Sequence, residues 1–217
     1  MSEPQGAEVK LDALKPRELV ELLDRMNPED IAARNIDVDA IGRAIDPRKL
    51  RKNELSALLS AITRLAEAGA DVDLSRMRPG TFARIITHAS REQIQAVMAD
   101  PRLRTRVIDE IFRRAGEHVR PERVRDLDAV VHWRLTDGTG AGGYDRWETV
   151  FADAACTVSR DMAHKPKVTI TLTPADFLKL ITQNASAPVL FLTGKLKVRG
   201  DLAFAASLSG LFDLPRG

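Results

Sequence analysis

Apolar residues recur three and four apart along this chain as far as about residue 125, and beyond it they recur at every second position. The first spacing is that of one face of a helix and the second that of one face of a strand, so two differently built halves are expected. In the first half, Leu55, Leu58, Leu59, Ile62 and Leu65 form one stripe, and Val107, Ile108, Ile111 and Phe112 another. Helix starts are announced by a capping side chain followed by proline at Asn27-Pro28, Asp46-Pro47 and Asp100-Pro101, because proline's missing N–H costs nothing in a first turn. Ser90 and Gln93 have the spacing of a reciprocal capping box.

The helical half also resembles itself. The run from Leu14 to Leu23 lies over Leu50 to Leu59 and over Met77 to Ile86 without gaps, and Glu29-Asp30-Ile31 falls against Glu92-Gln93-Ile94 at the same offset of 63 as the first and third copies. Two or three related helical units, or a coincidence of amphipathic helix starts, account for the pattern. Stacked units of this kind present a surface to a protein partner or to a second copy of the chain.

Beyond residue 125, Val131, Trp133 and Leu135 alternate with His132, Arg134 and Thr136, which predicts a half-buried strand with His132 facing solvent. Further strands are expected at about 144–152, 156–160, 167–173 and 194–200. Within the last two, Val168, Ile170 and Leu172, and then Leu196 and Val198, point inward. Thr173-Pro174-Ala175-Asp176 carries a cap, a proline and an acid in the order that opens a helix, whose stripe is Phe177, Leu180 and Ile181. A terminal helix presents Phe204, Leu208, Leu211 and Phe212. The fold class is therefore α+β: an all-helical region at 1–100, then at 101–217 a five-stranded, mainly antiparallel sheet covered by helices on one face.

Charge changes this picture little. Basic and acidic side chains balance through residue 119 and differ by two after it, so the basic face that a nucleic-acid partner requires is missing. Between residues 165 and 199, however, Lys165, Lys167, Lys179, Lys195, Lys197 and Arg199 stand against Asp176 alone. Such a group suits lipid headgroups, acyl-coenzyme A phosphates or transient contact with an anionic membrane surface, or simply a charged edge strand that discourages sheet extension.

Cys156 is the sole cysteine, which excludes an intrachain disulfide and any cysteine-based zinc site. The sequence starts without a basic segment leading into an apolar core, has no apolar run long enough to span a bilayer, and ends in Leu214-Pro215-Arg216-Gly217 rather than Ser-Lys-Leu. A soluble cytoplasmic location is expected, and the preference for arginine over lysine points to a GC-rich bacterial genome.

The order Asp137-Gly138, Trp147, Val168-Thr169-Ile170-Thr171-Leu172, Phe177-Leu178, Phe191, Gly194-Lys195-Leu196-Lys197-Val198 and Gly200-Asp201 resembles the signature of the sterol carrier protein type 2, or nonspecific lipid-transfer, family over roughly 110 residues. Two places depart from it: Asp153-Ala154 stands where the family turns through glycine, and Gln183-Asn184 where it places glycine after a helix. Asn184 is the expected helix stop. The resemblance implies an apolar tunnel between sheet and helices that takes a fatty acid, an acyl-CoA, a sterol-like lipid or a phospholipid. It also implies a lining drawn from the inward set Val131, Trp133, Leu135, Trp147, Ile170, Leu172, Phe177, Leu180, Ile181, Phe191, Leu196, Val198, Leu208 and Phe212. By pattern alone the same residues describe a filled core. In that case the chain is a protein-interaction module gripping its partner through the helical half.

No cofactor, metal or catalytic group is expected. The Gly-rich run 138–143 is followed by a strand rather than a helix and so cannot cradle phosphate as a helix N-terminus does. His88, His118, His132 and His164 are scattered, and the adjacent Asp109 and Glu110 point to different sides of a helix. Cys156, among small neighbours, reads as packed rather than reactive. Noncatalytic lipid binding, with or without transfer, is the leading expectation.

Overall fold

The computed structural model describes residues 14–33 and 37–213. The chain divides into two compact units, Met1–Val97 and Met98–Gly217.

The first unit is helical: α1 (Pro16–Arg25), α2 (Pro28–Ala33), α3 (Val38–Ala44), α4 (Glu54–Glu67), α5 (Pro79–His88) and most of α6 (Arg91–Ala99). The internal likeness at offset 63 has a structural counterpart. Helices α1 and α5 begin and end 63 residues apart, and each is followed by a helix with a reciprocal box: Asn27 with Asp30 before α2, and Ser90 with Gln93 before α6. Leu19 and Phe82, Leu23 and Ile86, and Ile31 and Ile94 are buried at matching positions. Arginines from later helices close earlier ones. Arg64 donates to the Leu23 and Met26 carbonyls at the end of α1, and Arg84 to the Gly42 and Ile45 carbonyls at the end of α3, placing a cation where four carbonyls lack helical partners. Asp46-Pro47 opens only a single tight turn, Pro47–Lys49; α4 starts later, at Glu54. The buried Gln93 amide donates to the Pro47 carbonyl, which also accepts from the Leu50 N–H within this turn, and to the Leu50 carbonyl.

The second unit begins with α7 (Pro101–Glu117), capped by Asp100 as expected, and a short α8 (Pro121–Val124). Five strands follow: β1 (Ala129–Leu135), β2 (Asp145–Ala152), β3 (Ala155–Ser159), β4 (Val168–Leu172) and β5 (Leu196–Gly200), in the spatial order β3-β2-β1-β4-β5. All neighbours are antiparallel except β1 and β4, which run parallel. The Gly-rich run is the β1–β2 hairpin loop. The β2–β3 turn has two residues, Asp153 and Ala154, with φ of 52° and 59°, the paired positive angles of the tight hairpin turn that matches strand twist.

Between β4 and β5 lie α9 (Pro174–Ile181) and α10 (Ala187–Leu192). Thr173 Oγ1 accepts from the Asp176 N–H at 3.0 Å and donates to the Asp176 carboxylate at 2.9 Å, so the opening of α9 is built as the sequence indicates. Its stop is not Asn184: Gln183 takes the left-handed conformation, φ 60°, one residue earlier, where the helix runs out of i−4 partners. Gly200 ends β5 at φ 108°, and a Cβ there would lie 2.4 Å from the Lys167 carbonyl oxygen, so only glycine fits. Asp201 then caps α11 (Leu202–Ser207), which passes into a tight turn at Leu208–Leu211 rather than continuing as one helix to Phe212.

Candidate functional site: an apolar cavity

In the second unit, the strand residues that point toward the helices are Val131, Trp133 and Leu135 on β1, Trp147, Thr149 and Phe151 on β2, Val168, Ile170 and Leu172 on β4, and Leu196 and Val198 on β5. Phe112 of α7 sits among three rings, with centroids 5.8 Å from Trp133, 5.0 Å from Trp147 and 4.9 Å from Phe177. These offset and edge-on contacts fill one part of the space between sheet and helices. The remainder is open.

A cavity of about 310 Å³ lies there, within the size range of small-molecule pockets. Trp133, Ile170, Leu196 and Val198 line it from the sheet, Phe177, Leu180 and Ile181 from α9, Phe191 from α10, and Leu208 and Phe212 from the C-terminal segment. The other inward residues singled out in the sequence, Val131, Leu135, Trp147 and Leu172, are buried in packed core and do not reach the cavity. Sequence reasoning missed Phe112, Ala115, Thr149, Cys156, Val158, Ala187, Pro188, Leu202, Ala205, Ala206 and Ser209. Most of these are small and so leave space that larger side chains would fill: Ala115 on α7, Ala187 on α10, and Ala205 and Ala206 on α11 all line the cavity. Pro188, Phe191, Leu202, Ala206 and Ser209 are exposed as well as lining, so the cavity opens to solvent between α10 and α11.

The lining is almost without polar function. Thr149 Oγ1 accepts from Trp133 Nε1 at 3.0 Å, which satisfies both buried groups. Burial pushes the Cys156 thiol up to about 12, leaving it protonated at neutral pH and a poor nucleophile. Asp109 and Glu110 are separated as expected. Asp109 accepts from Trp147 Nε1 at 2.8 Å and pairs with Arg160 at 2.7 Å, whereas Glu110 pairs with Arg113 and Arg114.

The opposite face of the sheet corrects one expectation. His132 does not face solvent; it is 8% exposed, because the connection from β3 to β4 crosses behind β2 and β1. There it meets Glu148, 1% exposed, which accepts from the His164 backbone N–H at 2.9 Å and lies 2.9 Å from His164 Nδ1 and 3.1 Å from His132 Nε2. Burial alone would raise the Glu148 carboxyl, but the hydrogen bonds from His164 and His132 outweigh it and hold the group down at about 2. Among the described residues no cluster of histidine, cysteine and carboxylate groups could hold a metal ion. No helix among them is long and apolar enough to cross a membrane.

Of the late cations, Lys179 pairs with Asp176 at 3.2 Å and Lys167 with Asp201 at 3.8 Å, while Lys195, Lys197 and Arg199 stand exposed along β5.

Helix-covered sheet and open apolar pocket together define a small α+β binding domain. Residues 108–213 match the SCP-2 sterol transfer family, and the C-terminal unit thus carries a domain of that family. Among solved structures, sterol carrier protein 2 from Yarrowia lipolytica, in its apo form, is 24% identical over 49% of this chain and 87% of its own, with a TM-score of 0.40. Sterol carrier protein 2 like 2 from Aedes aegypti is 21% identical over 51% of this chain and 98% of its own, with a TM-score of 0.41. The inverting sec-alkylsulfatase Pisa1 from Pseudomonas sp. aligns with 96% of this chain but 34% of its own length, at 14% identity and a TM-score of 0.44. No curated protein matches the sequence.

Proposed function

We propose that the C-terminal unit binds a ligand with a long hydrocarbon portion, a fatty acid, acyl-CoA, sterol-like lipid or phospholipid, and holds or carries it without transforming it. The observation that carries this reading is the open cavity of about 310 Å³, walled almost wholly by apolar side chains, within residues that match a sterol-transfer family. Each methylene withdrawn from water contributes about 0.8 kcal/mol, so a chain of about sixteen carbons offers roughly 12 kcal/mol before the costs of association. Micromolar binding therefore needs neither an ion pair nor a catalytic group. The open space counts against the reading of a filled core, and the helical unit at 1–100 is proposed as a separate module whose surface serves a partner.

Native mass spectrometry of the purified full chain, followed by displacement of a fluorescent long-chain fatty acid, tests the proposal. Ala205→Phe, which inserts a ring into the cavity, is expected to weaken binding roughly tenfold or more without loss of the folded state. Absence of any bound or exchangeable lipid in the wild-type chain would overturn the proposal.

A further inference from the structure

On the polar face of the sheet, one row beyond His132 and Glu148, Arg134 of β1 stands directly opposite Arg146 of β2. The row continues through Thr171 of β4 to Lys197 of β5. Side chains directly opposite on paired strands have Cβ atoms about 4.5–5.5 Å apart, and like charges so placed destabilise a sheet. Both arginines carry their charge permanently, and both lie on interior strands rather than at an edge. A repulsion built into the middle of the sheet points to a counter-charge that offsets it.

No carboxylate of the described residues supplies that charge. Glu148 is taken by His132 and His164, Asp145 points to the opposite face and pairs with Arg104 at 3.0 Å, and Asp137 accepts from Thr136. Asp161, just beyond β3, is exposed and forms an ion pair with neither arginine. Arg146 Nη2 donates to the Ala141 carbonyl at 2.7 Å, but the Nε groups of both arginines are buried without an acceptor. Buried donors left unmade are rare because they are costly. Both side chains are half-buried, between the connection that buries the His132 row and the hairpin loop that carries Ala141, whereas Lys197 at the end of the row is exposed.

We propose that Arg134 and Arg146 hold the phosphate of a small, soluble phosphomonoester, with the Thr171 hydroxyl as a further donor and Lys197 closing the row. A guanidinium presents parallel N–H groups that match two oxygens of an oxyanion. A carboxylate, with two oxygens and one charge, is filled by one such fork. A phosphomonoester brings three free oxygens and close to two charges at neutral pH, which suits two forks and a hydroxyl. The half-buried position favours a small ligand, since a flat surface meets the exposed Lys197 and Arg199 before it reaches the pair. The site lies on the side of the sheet away from the cavity and does not rest on the lipid-binding reading.

The test is calorimetric titration of the full chain with glycerol phosphate at neutral pH, together with urea unfolding in glycerol phosphate, acetate or chloride at matched ionic strength. Wild-type protein is expected to bind glycerol phosphate and to unfold at a higher urea midpoint in it than in either other anion, increasingly so with concentration. Arg134→Gln combined with Arg146→Gln should weaken binding at least tenfold. Arg134→Lys, which keeps the charge and removes the fork, should weaken it at least fivefold, and Arg199→Gln, one row away, should change it less than twofold. Circular dichroism checks that each variant is folded. Equal stabilisation by all three anions would mean that salt merely screens the pair, and the site would be struck out; so would unchanged affinity in Arg134→Lys or in the double variant. Displacement of a fluorescent fatty acid, measured in the same proteins, is expected to stay within twofold of wild type, so that loss of the phosphate site leaves the cavity reading standing and loss of lipid binding leaves the phosphate site.

Discussion

The two faces of the sheet in the C-terminal unit are set by the same alternation of residues, yet they solve opposite problems. Toward the helices stand Trp133, Thr149, Ile170 and Val198, apolar or internally satisfied, around a space that is left unfilled. On the other face stand His132, Glu148, Thr169 and Arg199, one per strand along a single row, and the crossing connection buries the first three. The apolar face tolerates vacancy because what it lacks is only packing, which something apolar supplies on binding. The polar face tolerates none, since a buried carboxylate without its donors costs several kcal/mol.

The comparison is most severely tested within the apolar face itself. Phe151 is fully buried against its neighbours, whereas Val198 borders open space. Phe151→Ala is expected to destabilise by about 3–5 kcal/mol, and Val198→Ala by about 1 kcal/mol or less, because it enlarges a void already present. Urea denaturation of the two variants measures the difference, and equal losses would mean that the apolar face is packed throughout.

On the polar face the expected effect is on the order of 3 kcal/mol, from Glu148 held at about 2 against an ordinary glutamate near 4.3. A depressed carboxyl stabilises the fold fully above its unfolded value and loses that contribution as pH falls. Stability should therefore drop between about pH 4 and pH 2 in the wild type, and the drop attributable to Glu148 should vanish in Glu148→Gln, whose starting stability is lower. Thermal unfolding across that range, compared between the two proteins, checks the sign.

The smallest expected effect concerns the turn that keeps β2 and β3 in register, and so keeps each side chain on its face. Ala154 holds φ of 59°, a conformation that costs a side chain with a Cβ about 1 kcal/mol. Ala154→Gly is expected to recover roughly that amount, visible as a higher urea midpoint with an unchanged slope.

The helix openings at Thr173, Ser90 and Asp100, the five strands and the likeness at offset 63 were legible because caps and periodicity are local signals. Burial of His132 was not, since alternation tells which face a residue is on and not what later covers that face; the covering segment lies some thirty residues further along. The cavity was half legible for a related reason. Large inward residues mark the space between sheet and helices, but Val131, Leu135, Trp147 and Leu172 fill their part of it. The part left open is decided by Ala115, Ala187, Ala205 and Ala206, whose smallness says nothing in a sequence until their neighbours are known. Gln183 displaced Asn184 as the helix stop because the end of α9 is set by geometry, not by the residue best suited to it.

The single parallel pairing, β1 with β4, joins strands more than thirty residues apart in the chain, and such a long-range pairing is expected to close late. Strands β1, β2 and β3 are consecutive and antiparallel, joined by the loop 136–144 and the two-residue turn at Asp153 and Ala154, so they are expected to pair first. The other edge of β1 must wait until Val168–Leu172 has been synthesised and carried back across the polar side. Until then Val131, Trp133 and Leu135 have no neighbour on that edge, and the half-built sheet is the species most exposed to misassociation. Slow refolding and sensitivity to protein concentration during refolding are the expected signatures of that late closure.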